Sequence, residues 1–139
     1  TFYVCRRGQM TLNGKRLILI YWHNCCIWGR YMSNKLRRLL NEYNWDDGFD
    51  LPKKILENPD CDLALALEIF FLADGCRYLV DKSNDTSLKE WKFFIERLYA
   101  DIWEGKYVQT ESTFKNPLTK VQRYKLKKLQ IPEIFLMDL

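Results

Sequence analysis

An all-α fold, a compact single-domain bundle of about five helices, is predicted by three features of the sequence. Apolar residues recur at helical spacing, as at Leu36, Leu39, Leu40 and Tyr43, and again at Leu88, Trp91, Ile95, Leu98 and Ile102. The segment LALALEIFFLA is apolar on nearly every side, the pattern of a helix buried at the centre of a fold. A chain of 139 residues with 47% hydrophobic content can build one core and is too short for two.

The first helix follows Met32, with Ser33 placed as its N-cap, and YNWDDG at 43–48 breaks it. A short second helix is expected over 51–58, capped by Asp50, with Pro52 in the first turn, where its missing N–H costs no hydrogen bond. The turn Asn58-Pro59-Asp60 ends it, and Asp62 caps the central helix over 63–73, which stops at Asp74-Gly75. Glu68 is the one awkward residue there and belongs on an exposed edge or against an arginine such as Arg77 or Arg97.

A polar loop at 82–86 leads to the capping box Ser87-Leu88-Lys89-Glu90, and the helix it opens runs to about 104, stopped by Gly105. Phe94 and Tyr99 flank its apolar stripe, which reads as core and not as a cofactor site. Asn116-Pro117 opens a last helix to about 129. Its thin apolar face is Leu118, Val121 and Leu129, with Tyr124 and Leu126 beside it, and its other face carries Lys120, Arg123, Lys125, Lys127 and Lys128. The tail IPEIFLMDL is apolar enough to pack back on the body, and the helices at 63–73 and 88–104 should form the centre.

Residues 1–31 stand apart from the rest. They hold Arg6, Arg7, Lys15, Arg16 and Arg30 and no acid, leaving 17 of the 22 basic residues against all 18 acidic ones in 32–139. The basic excess therefore belongs to this leader. One reading makes it upstream, non-native sequence ahead of a natural start at Met32, the remainder 32–139 being the helical domain. The other makes it a short β-hairpin turning at Asn13-Gly14, or disorder. The run at 17–22 is too short for a membrane span, and no small-residue cleavage site follows it. Cys61 and Cys76, the two cysteines after Met32, suit a reduced cytoplasm and ordinary buried thiols.

Much chemistry has no support. The single histidine, His23, lies in the leader, so 32–139 contains no Ser-His-Asp or Cys-His pair and none of the common zinc ligand sets. There is no phosphate-binding glycine motif. Asp46, Asp47 and Asp50 miss the register of a calcium loop, and adjacent carboxylates on one loop rarely reach the separation that glycosidic catalysis needs. The expectation is a protein without catalysis, metal or cofactor.

The acidic segment is more informative. From Asp46 to Asp62 lie Asp46, Asp47, Asp50, Glu57, Asp60 and Asp62 against Lys53 and Lys54 alone. Interleaved with Tyr43, Trp45 and Phe49, these acids make the mixture that protein hot spots favour, and their charge would steer a basic partner. Trp45 has a competing reading as a core staple.

The stretch LNEYNWDDGFDLPKKILENPDCDLALALEIFFLADG, residues 40–75, resembles a bacterial family classified as domain of unknown function 4274. The resemblance rests on YNWDDG, Pro52, Ile55, Asn58-Pro59, Cys61-Asp62 and the segment 66–75, and it extends loosely through Trp91 and Tyr99. It implies a small helical bacterial protein with no assigned enzyme activity, of the kind found beside polymorphic or contact-dependent toxin genes. The expected function is that of a cytoplasmic immunity protein that binds a cognate toxin, a nuclease-type effector with a cationic site, with no small-molecule substrate and no membrane. Trp45, Asp46, Asp47, Asp50 and Asp60 are the candidate contact residues. Under this reading one aspartate of YNWDDG braces its loop and another faces the partner. The alternative is a nucleic-acid-binding module using the basic helix at 117–129, and an enzyme built on Asp46, Asp47 or Glu68 ranks third.

Overall fold

The computed structural model describes residues 31–81 and 88–139. The expectations for the leader, including the hairpin at Asn13-Gly14, and for the capping box at Ser87 fall on residues outside these. The described residues are all-α: six helices, two 3-10 turns and no strand. In chain order the helices are α1 over 31–41, α2 (Asp50–Glu57), α3 (Leu63–Leu72), α4 (Gly75–Val80), α5 (Lys89–Trp103) and α6 (Lys120–Lys128). The 3-10 turns are Trp45–Asp47 and Glu133–Phe135.

α3 is the centre, as its uniform apolarity predicts. Leu65, Ala66, Leu67, Ile69 and Phe70 are 0% exposed, and α5 lays Phe94, Ile95, Leu98 and Ile102 against this body. α1 contributes Leu36 and Leu40, while Leu39, expected on the same face, is 42% exposed. Ser33 is not a cap, because the helix already includes residues 31 and 32. It is buried within α1 instead, and its hydroxyl donates to Asp62 at 3.3 Å. Asp50 is also displaced from its expected role: Phe49 occupies the N-cap of α2 without a side-chain bond, and Asp50 is the first helical residue. There its exposed carboxylate still meets the positive end of the helix dipole.

The break after α3 is sharper than a simple stop. Asp74 adopts a left-handed conformation (φ 61°), and the chain turns at once into α4, a helix absent from the sequence-based expectation. The turn works because Gly75 sits on the aromatic core: a Cβ there would overlap both the ring and the carbonyl of Phe70. Phe70 is fully buried and cannot yield. Gly75→Ala is therefore expected to cost about 1–3 kcal/mol, the range for overpacking, and chemical denaturation would read it as a lower midpoint at unchanged slope. Trp91 of α5 ties the same turn down, its indole N–H donating to the Ala73 carbonyl at 2.6 Å while Arg77 stacks over its ring. Glu68 meets an arginine as expected, and the arginine is Arg37 of α1, at 3.4 Å.

Past α5 the chain runs without regular structure to α6, pinned by buried side chains at Tyr107, Phe114, Asn116 and Leu118. Asn116-Pro117 does not open the last helix. Thr119 caps it in a reciprocal box with Gln122, which leaves Asn116 free to bind the tail. The Asn116 amide donates to the carbonyls of Phe135 (2.9 Å) and Met137 (3.4 Å), and its backbone N–H donates to Asp138 (2.7 Å). Phe114 and Leu139 exchange two backbone hydrogen bonds of 2.9 Å. The tail thus packs back as its composition predicts, burying Ile131, Phe135 and Leu136. α6 is turned over relative to expectation: Leu126 is buried, whereas Val121, Tyr124 and Leu129 are each about 60% exposed. Its single buried residue reflects a helix seated mainly by its ends.

Candidate functional site

YNWDDG forms a closed, self-bonded shoulder between α1 and α2. Asn44 caps the 3-10 turn, its side-chain oxygen accepting the Asp46 N–H at 3.2 Å and its carbonyl accepting the Asp47 N–H at 3.0 Å. The Tyr43 hydroxyl spans the loop and donates to the Gly48 carbonyl at 2.8 Å. Gly48 has φ 93°, a conformation that a side chain would strain, so the glycine is what allows the loop to close. Beneath lies a run of ring contacts: Tyr43 edge-on to Trp45 (5.7 Å), Trp45 edge-on to Phe49 (6.5 Å), and Phe49 stacked on Phe94 of α5 (4.6 Å). Trp45 is half-buried and packed on the core, the geometry of a staple.

Neither aspartate caps the loop; Asn44 does. Asp47 meets the Asn44 amide at 3.5 Å, the limit of a hydrogen bond, and Asp46, Asp47 and Asp50 are all exposed. Asp47 and Asp50 share a neighbourhood at the Tyr43 phenol, which desolvation pushes above its ordinary pKa and which these two carboxylates push further. Asp60 stands elsewhere. It is half-buried past the far end of α2, its N–H bound to Asn58 at 2.9 Å, so an eight-residue helix of about 12 Å lies between it and the other three. Lys53 and Lys54 are exposed on that helix, between the two acidic ends.

Asp62 is a different kind of acid. Only 4% exposed, it accepts the Leu65 N–H (2.8 Å) as the N-cap of α3, and it also accepts hydroxyls from Thr110 (2.9 Å) and Ser33 (3.3 Å). It joins α1, α3 and the loop after α5. Its neighbour Cys61 is inert, since burial and then the Asp62 charge push its thiol up to about 12.

The basic helix is partly committed to the fold. Arg123 donates to the carbonyls of Leu118 and Asn116 and to Asp138 at 3.0 Å. The Asn116 N–H and then this guanidinium hold the Asp138 carboxyl below its ordinary value. Lys120, Lys125, Lys127 and Lys128 remain exposed, with the Lys128 ammonium 4.6 Å over the Tyr124 ring.

Sequence reasoning missed a groove between α2 and α5, about 470 Å³ of space continuous with solvent. Lys53, Phe93, Arg97 and Lys106 are at its rim and Tyr107 is among its buried lining. No spacing rule links these residues, which come from two helices and a loop. Among the described residues no group of three or more His, Cys, Asp or Glu could hold a metal ion, and no helix is long and apolar enough to cross a membrane.

No curated protein and no solved structure matches the chain. A family model described as Domain of unknown function (DUF4274) matches residues 32–103, just over half of the chain, from α1 to the end of α5. YNWDDG, the Asp62 cap and the buried face of α3 all lie inside that match, and the chain belongs to this family.

Proposed function

We propose that this chain is a cytoplasmic immunity protein that binds and neutralises a cognate bacterial toxin domain. The observation that supports the reading is the fixed display of Asp46, Asp47 and Asp50. Asp46 and Asp47 are exposed on a loop whose backbone is closed by Asn44 and Tyr43 and whose underside is bolted to α5 through Trp45 and Phe49, and Asp50 is exposed at the start of α2 beside it. Such a loop loses little conformational entropy on binding, and its charge accelerates encounter with a cationic nuclease site. Asp46, Asp47 and Asp50 face the partner, while Trp45 acts mainly as their support. Asp60 is at most a peripheral contact, being set apart by α2.

Capture from lysate of the source bacterium, using the 139-residue chain after nuclease treatment and at two salt concentrations, tests the proposal. The double variant Asp47→Lys, Asp50→Lys is expected to retain the captured toxin at least about tenfold less well. Its melting temperature should move by no more than about 5 °C, because both side chains are exposed. A melting temperature that collapses would make these acids structural and defeat the assignment. A second reading, nucleic-acid binding by α6, is favoured by the exposed Tyr124 among four exposed lysines. Recovery of nucleic acid alone in the untreated sample, lost at high salt and unaffected by the double variant, would select it.

A further inference from the structure

α5 carries a second stripe on the side turned away from the core. Lys89, Phe93, Glu96, Ala100 and Trp103 follow one another at steps of four, three, four and three, the spacing of a helix–helix seam, with Arg97 and Glu104 beside them. The buried residues of the helix, Phe94, Ile95, Leu98 and Ile102, lie on the opposite side. The outer stripe is exposed apart from the half-buried Ala100, and its two rings, Phe93 and Trp103, are 64% and 60% exposed. Large aromatics on the solvent side of a helix already seated by its other face add nothing to the core, and they are the side chains on which interfaces concentrate their energy.

The stripe is its own complement. When a second α5 is laid against it antiparallel, with a two-fold axis between Glu96 and Arg97, residues equidistant from the axis meet. Phe93 then meets Ala100, Glu96 meets Arg97 and Lys89 meets Glu104, each contact occurring twice. The larger ring falls on the smallest side chain, and both charged pairs join opposite signs. A parallel copy would instead set Phe93 on Phe93, Glu96 on Glu96 and Arg97 on Arg97. Glu96 meets Lys92 of its own helix at 3.8 Å, a surface contact of the weak class that leaves it able to turn to a second copy. α6 offers no such match: Val121, Tyr124 and Leu129 are equally exposed, but Lys120–Lys128 contains no acid, so two copies of that helix repel.

We propose that α5 pairs antiparallel with α5 of a second copy of this chain, through Phe93 on Ala100 and reciprocal Glu96–Arg97 and Lys89–Glu104 ion pairs. The helix has 15 residues and is about 22 Å long, so the interface is at the small end of specific contacts and the dimer forms over about 10–100 µM chain. Trp45, Asp46, Asp47, Asp50 and Asp60 are not in the stripe, so the pairing stands apart from the toxin reading.

Sedimentation velocity on the full 139-residue chain, from about 5 to 500 µM, tests this. Monomer at the low end should give way to dimer and to no larger species, because an isologous contact closes on itself. Phe93→Ala and Arg97→Glu should each weaken the dimer at least tenfold, the second by setting like charges against each other across the axis. The double variant Glu96→Arg, Arg97→Glu restores opposite charges there and should return the affinity to within about threefold of wild type. All three positions are exposed, so each variant should keep its melting transition. A chain that stays monomeric throughout would leave the stripe to a different protein and overturn the proposal. Association that Phe93→Ala and Arg97→Glu leave unchanged, or a double variant no stronger than Arg97→Glu alone, would overturn it too.

Discussion

Phe135→Ala is expected to lower the unfolding free energy by about 3–5 kcal/mol. Phe135 is fully buried, lies parallel to Tyr99 at 4.6 Å and is tilted against Phe70 at 5.1 Å. Alanine would remove the ring from a site walled by two other rings and by the backbone of the tail, leaving a cavity that rigid neighbours cannot close. The Phe135 carbonyl also accepts the Asn116 amide, so a loosened tail would unsettle that bond as well. Against the total stability of about 5–15 kcal/mol typical of a domain, this is a large fraction. Urea denaturation should show it, and Phe135→Leu should recover more than half. A loss under about 1 kcal/mol would mean that the tail contributes little to the core.

The second large effect is expected at Asp62. Asp62→Ala removes the cap of α3, strands the Leu65 N–H and the Ser33 hydroxyl in a buried site, and leaves the hydroxyl of the exposed Thr110 without its acceptor. An N-cap contributes about 1 kcal/mol and a hydrogen bond to a charged group about 1.5–3 kcal/mol, so a total of about 3–4 kcal/mol is expected. Asp62→Asn keeps an acceptor for the cap and should cost about half as much. Double-mutant cycles with Thr110→Val would read the hydroxyl contribution directly: the Thr110 effect should shrink once Asp62 is gone. Additive losses would show that Asp62 acts on α3 alone.

The core helices were legible because their signals are local. Uniform apolarity over 63–72 and the three-and-four spacing along 91–102 each have one helical solution, and both helices are in place. Asp62 was legible as a cap for the same reason, since a cap needs only the residues that follow it. Its bonds to Ser33 and Thr110 were not, because they join positions 29 and 48 residues away. Ser33 illustrates the failure: a serine before an apolar helix is a good cap by rule, but a buried carboxylate drew its hydroxyl elsewhere. α6 failed similarly, since Asn116-Pro117 has the form of a helix start and tertiary bonds to the tail claimed Asn116 instead. α4 left no signal in advance because six residues are too few to show a period. At the candidate site, YNWDDG stood out at once. That Asn44 would close the loop, and that α2 would part Asp60 from the other acids, required the fold.

The rings over α3 have a consequence for inheritance. Phe70 and Phe71 lie within the family match, but Phe135 and Phe114, which cover them, come from beyond residue 103. A relative that shares only the matched segment inherits an apolar aromatic face without its cover and must supply one from its own sequence. Such a cover requires bulk and apolarity, which more than one sequence can supply. The groove at Tyr107, whose wall is shared between matched and unmatched residues, lies on that boundary.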